Sequence, residues 1–305
     1  MATSLEKSLV QRRKTQGVLR PLLEDLFRSP VEIESKEDAN FIHSLAMTQV
    51  EREEMRRIGD GVFSPSGLAS CLRRVYLGRH HKRLGLEKVE LPSVTAHGYF
   101  TGGNFIHLKW QFALYKLAVR SPRVHLVGNE IPVISKRRDH GGTLDSLILV
   151  DDVPYVVDFK GLNVHTFNDI VRGEVPIEYQ IQLGDYMMLA NALKTKFRAN
   201  LPRIEHGILL VESKGGPDYT HPLGIHEVHI RLDDVLPEVR KRLEVLRKHE
   251  RAEKIPAPEC RSTKITDFQG CPFAEFCRRE VKRFENQDRA KTETVPLRLS
   301  TPRRR

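Results

Sequence analysis

Long apolar runs are missing from this chain of 305 residues. No stretch approaches the roughly 20 residues that a membrane-spanning helix needs, so a bilayer-embedded protein is not expected. The N-terminus, Met-Ala-Thr-Ser-Leu-Glu-Lys, lacks the apolar core of a secretory signal, and a cytoplasmic location is expected. Cysteine is scarce: Cys71, Cys260, Cys271 and Cys277 are the only four. In a cytosolic protein this argues against a disulfide framework. Four thiols do suffice to close one metal or cluster site. Their spacing, ten residues between Cys260 and Cys271 and five between Cys271 and Cys277, matches neither a zinc ribbon or finger nor a ferredoxin. There is no internal repeat.

Positive charge is what the chain has in excess. The formal net charge is +10 and the pI is near 9.5, a balance that favours a polyanionic partner. Part of the excess is tail, since residues 298–305 hold four arginines. A hydrophobic content of 39% and a charged content of 30% are ordinary for a globular protein. The length allows one large domain with additions, or two domains.

Periodicity divides the chain. Residues 1 to about 27 and 36 to 57 have helical spacing, and Gly59-Asp60-Gly61 interrupts them. Ser64-Pro65-Ser66 opens a short helix, with Cys71 within two turns. Gly98 to Arg120 is a long amphipathic helix carrying His107. Strands are expected at 126–134, 143–150, 154–160, 206–213 and 225–230. Helices are expected at 177–193 and 232–252, the second ended by Pro256-Ala-Pro258. Beyond Glu285 the composition is polar and basic, which predicts disorder.

The chemistry concentrates in Gly103-Asn-Phe-Ile-His107, Gly142-Thr-Leu-Asp145 and Val157-Asp158-Phe159-Lys160. Residues two apart on a strand face one side, so Asp158 and Lys160 point into one site. The turn Asp151-Asp152 joins the two apolar runs as a hairpin, which brings Asp145 to Asp158. Two carboxylates hold a hard cation, and a lysine beside them steadies charge near an attacking water. That combination suits metal-assisted phosphodiester hydrolysis. An imidazole ligand tilts preference toward Mn²⁺ over Mg²⁺, and the carbonyl of Phe159 is a further candidate oxygen. Glu130, on the preceding strand, is a site carboxylate or an exposed strand residue. Gln182 and Tyr186 lie four apart on one helix and share a face. The basic stretch 73–83 and the run Lys136-Arg137-Arg138 are candidate phosphate contacts. Phe105, Trp110 and Tyr186 are candidate stacking platforms for bases.

In this order, the motifs resemble the RecB-type branch of the PD-(D/E)xK nuclease superfamily. Within it they are most similar to the iron–sulfur exonucleases related to the CRISPR-associated Cas-four family and their phage relatives. The resemblance covers roughly residues 64–279. It implies an α/β fold of restriction-endonuclease type, a mixed central sheet flanked by helices, with an iron–sulfur-stapled helical part. It implies that His107, Asp145 and Asp158 bind a divalent metal and that Lys160 assists catalysis. It places Gln182 and Tyr186 near the DNA strand. It further implies a [4Fe–4S] cluster on Cys71, Cys260, Cys271 and Cys277, although Cys260 lies farther from Cys271 than the family's usual partner. The expected organisation is an N-terminal helical extension (1–62), a nuclease domain with cluster-binding flanks (63–285) and a basic tail (286–305). The expected activity is metal-dependent exonucleolytic cleavage of DNA, single-stranded and 5′ to 3′ as the family suggests, in recombination, replication or DNA processing. Partners would be DNA with free ends, a second copy of the chain, or a recombination or integration protein. Two alternatives stay open: an adaptation nuclease trimming DNA before integration, and a non-catalytic iron–sulfur DNA-binding protein.

Overall fold

The structure, a computed structural model, describes residues 17–58, 62–86, 94–193, 201–218, 220–257, 259 and 271–278. Its centre is a mixed five-stranded sheet in the order β1-β2-β3-β4-β5. The strands are β1 (Val124–Ile134), β2 (Gly141–Val150), β3 (Val153–Leu162), β4 (His206–Ser213) and β5 (Ile225–Arg231). β3 and β4 run parallel, and every other neighbouring pair is antiparallel. The helices are α1 (Arg20–Leu26), α2 (Lys36–Ile58), α3 (Pro65–Ala69), α4 (Leu72–His80), α5 (Val94–Arg120), α6 (Val164–Val171), α7 (Ile177–Ala192) and α8 (Leu232–Arg251). None of the described helices is long and apolar enough to cross a membrane.

The expected hairpin is present. Val150 pairs with Val153 across Asp151 and Asp152, and both turn residues have positive φ, 48° and 65°. This is the mirror-image two-residue turn whose twist matches the strands it joins, and short acidic side chains tolerate it. The β1–β2 approach is equally tight. A Cβ at Gly141 would lie 2.5 Å from the Val133 carbonyl oxygen, so a side chain there would wedge the ladder open.

Alternation along the strands supplies two apolar layers. On one face α1 and α5 bury Leu19, Leu23, Trp110 and Leu114 against Val157, Phe159, Ile208 and Leu210. On the other, α6 and α7 bury Phe167, Ile170, Leu183 and Met187 against Leu147, Val156, Leu209 and Val211. A third cluster joins α3 and α4 to α8 through Leu68, Leu72, Leu243 and Leu246. The chain entering α1 is tied to β5, because Glu227 accepts backbone N–H groups from Val18, Leu19 and Arg20 at 2.8, 3.0 and 2.6 Å. These N–H groups would otherwise be orphans at a helix start.

The last helix ends within one residue of expectation, and the segment after β3 forms a helix not among those expected. α8 ends at Arg251, ahead of Pro256, because the chain turns at Glu253 with φ 50°. The segment after β3 is a full two-turn helix, α6, capped by the Asn163 side chain, which accepts from the Thr166 N–H. Residues 1–16, Cys260 and the tail from 279 onward lie outside the described residues.

Candidate metal and phosphodiester site

Three neighbouring strands carry one acid each to the same place. Asn129 pairs with Ser146 and Ile131 with Leu144, which leaves Glu130 opposite Asp145. On the other side the β2–β3 ladder stops at Ser146–Val157, one residue short of Asp145 and Asp158. The strands part at the acids. The Phe159 N–H donates to Asp145 Oδ2 at 2.9 Å, so a side chain takes over where the ladder ends.

His107 enters from α5, with Nδ1 3.5 Å from Asp145 Oδ1. His107, Glu130 and Asp145 each offer a ligand atom, and these atoms lie within 4.8 Å of one another. One imidazole and two carboxylates form a donor set suited to a divalent cation such as Mn²⁺ or Mg²⁺. The alternative left open for Glu130 is thereby settled against exposure. It is 4% exposed and faces the site. It holds φ at 49°, a region that costs a non-glycine residue on the order of 1 kcal/mol or more. Such strain is characteristic of functional positions.

Asp158, on the adjoining strand, is not among the three residues whose ligand atoms lie within 4.8 Å of one another. Its Oδ1 accepts from Gln182 Nε2 at 3.1 Å, and Lys160 Nζ is 2.7 Å from its Oδ2. The electrostatics separate the acids. Burial pushes the Asp145 carboxyl up, but His107, Lys160 and the Phe159 N–H outweigh it and hold it below the ordinary carboxylate range. Burial together with neighbouring Asp145 pushes Asp158 above that range despite Lys160. Lys160 is opposed by burial and favoured by Asp158 and Asp145, and its pKa rises. It therefore stays an ammonium. His107 is likewise opposed by burial and raised by Asp145.

Helix α7 packs beside the acids. Gln182 reaches Asp158 as described. Tyr186, one turn on, is buried in the core, and its ring lies against Gly142 of β2. Between them Asp185 accepts from or shares a proton with His140 Nε2 at 2.6 Å, both side chains fully buried. This pair joins α7 to the start of β2. Three contributors escaped the sequence reading. Gln111, one turn after His107 on α5, donates through Nε2 to Glu130 Oε1 at 2.8 Å and to the Asp145 carbonyl at 3.2 Å. Its i+4 offset from His107 is the signal that would have found it. Tyr179 sets its ring 5.9 Å from Lys160 Nζ. The His140–Asp185 pair left no trace in the sequence, since its members are 45 residues apart.

Other candidates take different roles. Trp110 is 2% exposed and donates Nε1–H to Glu212 at 2.6 Å, so it is a packed core residue and not a platform for bases. Phe105 is 66% exposed and stays available. Arg73 is buried, donating to the Pro256 carbonyl at 2.8 Å and lying over the Phe276 ring; it ties the cysteine segment to α4 and is not a phosphate contact. Among the described residues, Cys71, Cys271 and Cys277 do not make a compact ligand group comparable to that of His107, Glu130 and Asp145. Burial raises the Cys277 thiol pKa, with smaller upward contributions from Cys271 and Cys71.

No protein-family model and no curated protein matches the chain. Solved structures do. An alkaline exonuclease (LHK-Exo) from Laribacter hongkongensis is 15% identical, with a TM-score of 0.46, covering 76% of this chain and 99% of its own. The same enzyme in complex with dAMP is 15% identical, with a TM-score of 0.44, covering 74% and 95%. SSO0001 is 18% identical, with a TM-score of 0.39, covering 86% and 95%. Likeness at this level assigns neither an activity nor a substrate, and the chemistry rests on the side chains described above.

Proposed function

We propose that this chain is a divalent-metal-dependent deoxyribonuclease of the RecB-type PD-(D/E)xK class, hydrolysing phosphodiester bonds from strand ends. The observation that carries the reading is the meeting of His107, Glu130 and Asp145 within 4.8 Å, beside a lysine paired to Asp158 on the next strand. A Mn²⁺ or Mg²⁺ bound there supplies charge neutralisation on the phosphate and a more acidic water. Asp145 and Glu130 would provide the oxygens that hold it and His107 the nitrogen; Asp158, which the motif resemblance adds, and the Phe159 carbonyl are further candidates. Lys160 is held protonated by Asp158, so it contributes positive charge toward the phosphate oxygens and does not act as a base. Gln182 fixes the second oxygen of Asp158 and with it the direction of that ion pair. Tyr186 sets the depth of α7 against β2 and so positions Gln182 over the strands.

The finer reading follows the motif resemblance. The substrate is single-stranded DNA or DNA with free ends, cut 5′ to 3′ in the cytoplasm during recombination, replication or DNA processing. Cys71, Cys260, Cys271 and Cys277 hold a [4Fe–4S] cluster that staples the flanks of the domain, a structural gain through restriction of the unfolded chain. Residues 1–62, 63–285 and 286–305 are extension, nuclease domain and tail.

The deciding measurement is cleavage of end-labelled strands with Mn²⁺ or Mg²⁺ by the wild type and by Lys160→Ala. Loss of one preorganised charge is expected to slow cleavage by roughly 10²–10³-fold. Equal rates for the two proteins would remove the catalytic assignment. Strands blocked at either end then report polarity.

A further inference from the structure

A concavity of about 510 Å³ lies between the β1–β2 turn and α8. Lys136 and Arg137 reach it from the turn, and Arg240, Arg247 and Arg251 from α8. Offsets of seven and four put the three arginines on one helical face. Arg247 is spoken for: Asp139 accepts from its Nε and Nη2 at 2.8 and 3.1 Å. Burial opposes the Asp139 charge, but Arg247 and Ser135 overcome it and hold its pKa at about 2. Lys136, Arg137, Arg240 and Arg251 make no ion pair among the described residues, and Glu244 is the one carboxylate of the lining. Five cations thus face two carboxylates, Glu244 and Asp139, an excess of three. The wall is rigid, because fully buried His140 is fixed to Asp185 of α7 while Asp139 clamps the turn to α8. Convergent positive charge held on a fixed wall is a polyanion site more than a solvated face.

Helix α7 gives the distance to the acids. Gln182 touches Asp158, while Met188 and Ala192 line the cleft. Six to ten residues along a helix is about 9–15 Å. That separation is short enough for one bound strand to reach both the acids and the cleft. We propose that this cleft grips the sugar–phosphate backbone of the bound strand a few nucleotides from the phosphate at the acidic site. The inference rests on the nuclease reading for the identity of that strand. The contact is sequence-independent, since charges on phosphates carry no base information.

The test is binding, read without catalysis. Fluorescence anisotropy with a labelled twelve-nucleotide thymidine strand is measured in EDTA across a salt series. The proteins are wild type, Arg240→Gln/Arg251→Gln, and Lys241→Gln/Lys248→Gln. The last pair removes the same charge from the same helix outside the cleft lining. Arginine, lysine and glutamine have similar helix propensities, so folding is preserved. The cleft variant is expected to bind about tenfold more weakly at low salt. Its salt slope should be shallower by about 1.4, or about 0.7 for each phosphate that is no longer neutralised. The control pair is expected to match wild type in both. Equal losses in the two variants, or wild-type binding by the cleft variant, would overturn the proposal. Cleavage is assayed separately. Binding through the cleft by a wild type that never cuts would defeat the nuclease reading alone, and cutting without cleft-dependent binding would defeat the cleft alone.

Discussion

Gln111 is the residue on which the metal geometry leans most, and its removal makes a quantitative case. Its amide donates to Glu130 at 2.8 Å and to the Asp145 carbonyl at 3.2 Å from a fully buried position. It therefore fixes one ligand directly and the backbone of another. A hydrogen bond to a charged group contributes about 1.5–3 kcal/mol. At about 1.36 kcal/mol per decade, losing it translates to roughly 10- to 100-fold or somewhat more. Outer-shell partners of metal ligands typically cost 10- to 100-fold in affinity when removed, so two independent routes give the same range. Gln111→Leu keeps the volume and deletes the donor. Mn²⁺ titration followed by electron paramagnetic resonance should show affinity reduced by roughly that factor, in a protein whose near-ultraviolet circular dichroism is unchanged. Gln111→Asn retains an amide one methylene too short and should weaken binding in the same direction. A folded Gln111→Leu protein with wild-type Mn²⁺ affinity would show that Glu130 is not a ligand, or that it needs no help to be one.

Two further outcomes concern stability and the cysteines. Burial, then His221 and Arg20, depress His226 to about 4 from an ordinary 6.5; the unfolded chain therefore takes up a proton between these values that the folded chain refuses. Stability should be fully present above about pH 6.5 and fall by at most roughly 3 kcal/mol as pH drops toward 4; urea melts of His226→Gln should lack that loss, and an identical profile would refute it. Anaerobically purified wild type should be brown and Cys271→Ala colourless, whereas colourless wild type holding stoichiometric zinc would exchange the cluster for a zinc site.

What the sequence disclosed follows from the range over which each signal acts. The hairpin was legible because Asp151-Asp152 sits between two apolar runs, and turn chemistry is local. The long α5 was legible from periodicity, and the shared face of Asp158 and Lys160 from the two-residue repeat of a strand. Glu130 was visible but undecided. Its placement depends on a register between β1 and β2 and on a positive φ, neither of which a residue type announces. Trp110 and Arg73 read as nucleic-acid contacts because an aromatic and a guanidinium suit both interfaces and interiors. Only the partners, Glu212 and the Pro256 carbonyl, distinguish the two, and they lie far away in sequence. The His140–Asp185 pair is the extreme case, made wholly of long-range packing, and of the cleft beside it only Lys136 and Arg137 stood out in the sequence as phosphate contacts.

The two strand-end acids also carry opposite stability signs, which separates a built cation site from an accidental cluster. Asp145 accepts the Phe159 N–H and faces His107, and its carboxyl is held below the ordinary range. Its ionised form is stabilised by folding. That contribution is present above the unfolded pKa and lost as pH falls through the folded one. Asp158 is buried next to Asp145, and its carboxyl is pushed up. Folding disfavours its charge, so at neutral pH it subtracts stability that an uncharged isostere would restore. In EDTA at pH 7, Asp145→Asn should thus lower the melting temperature, while Asp158→Asn should raise it in a Lys160→Met background, where no buried ammonium is left unpaired. Mn²⁺ should raise the wild-type melting temperature, because a cation that binds only the folded state at a hundred times its Kd adds about 2.7 kcal/mol. That increment should shrink in Asp145→Asn, whose substituted group is one of the three converging ligands. An active site that gives up stability for function is expected to show this pattern. Shifts of the same sign in both apo variants would mean that the acids are ordinary ion-pair partners, and a metal response indifferent to Asp145 would place the cation elsewhere.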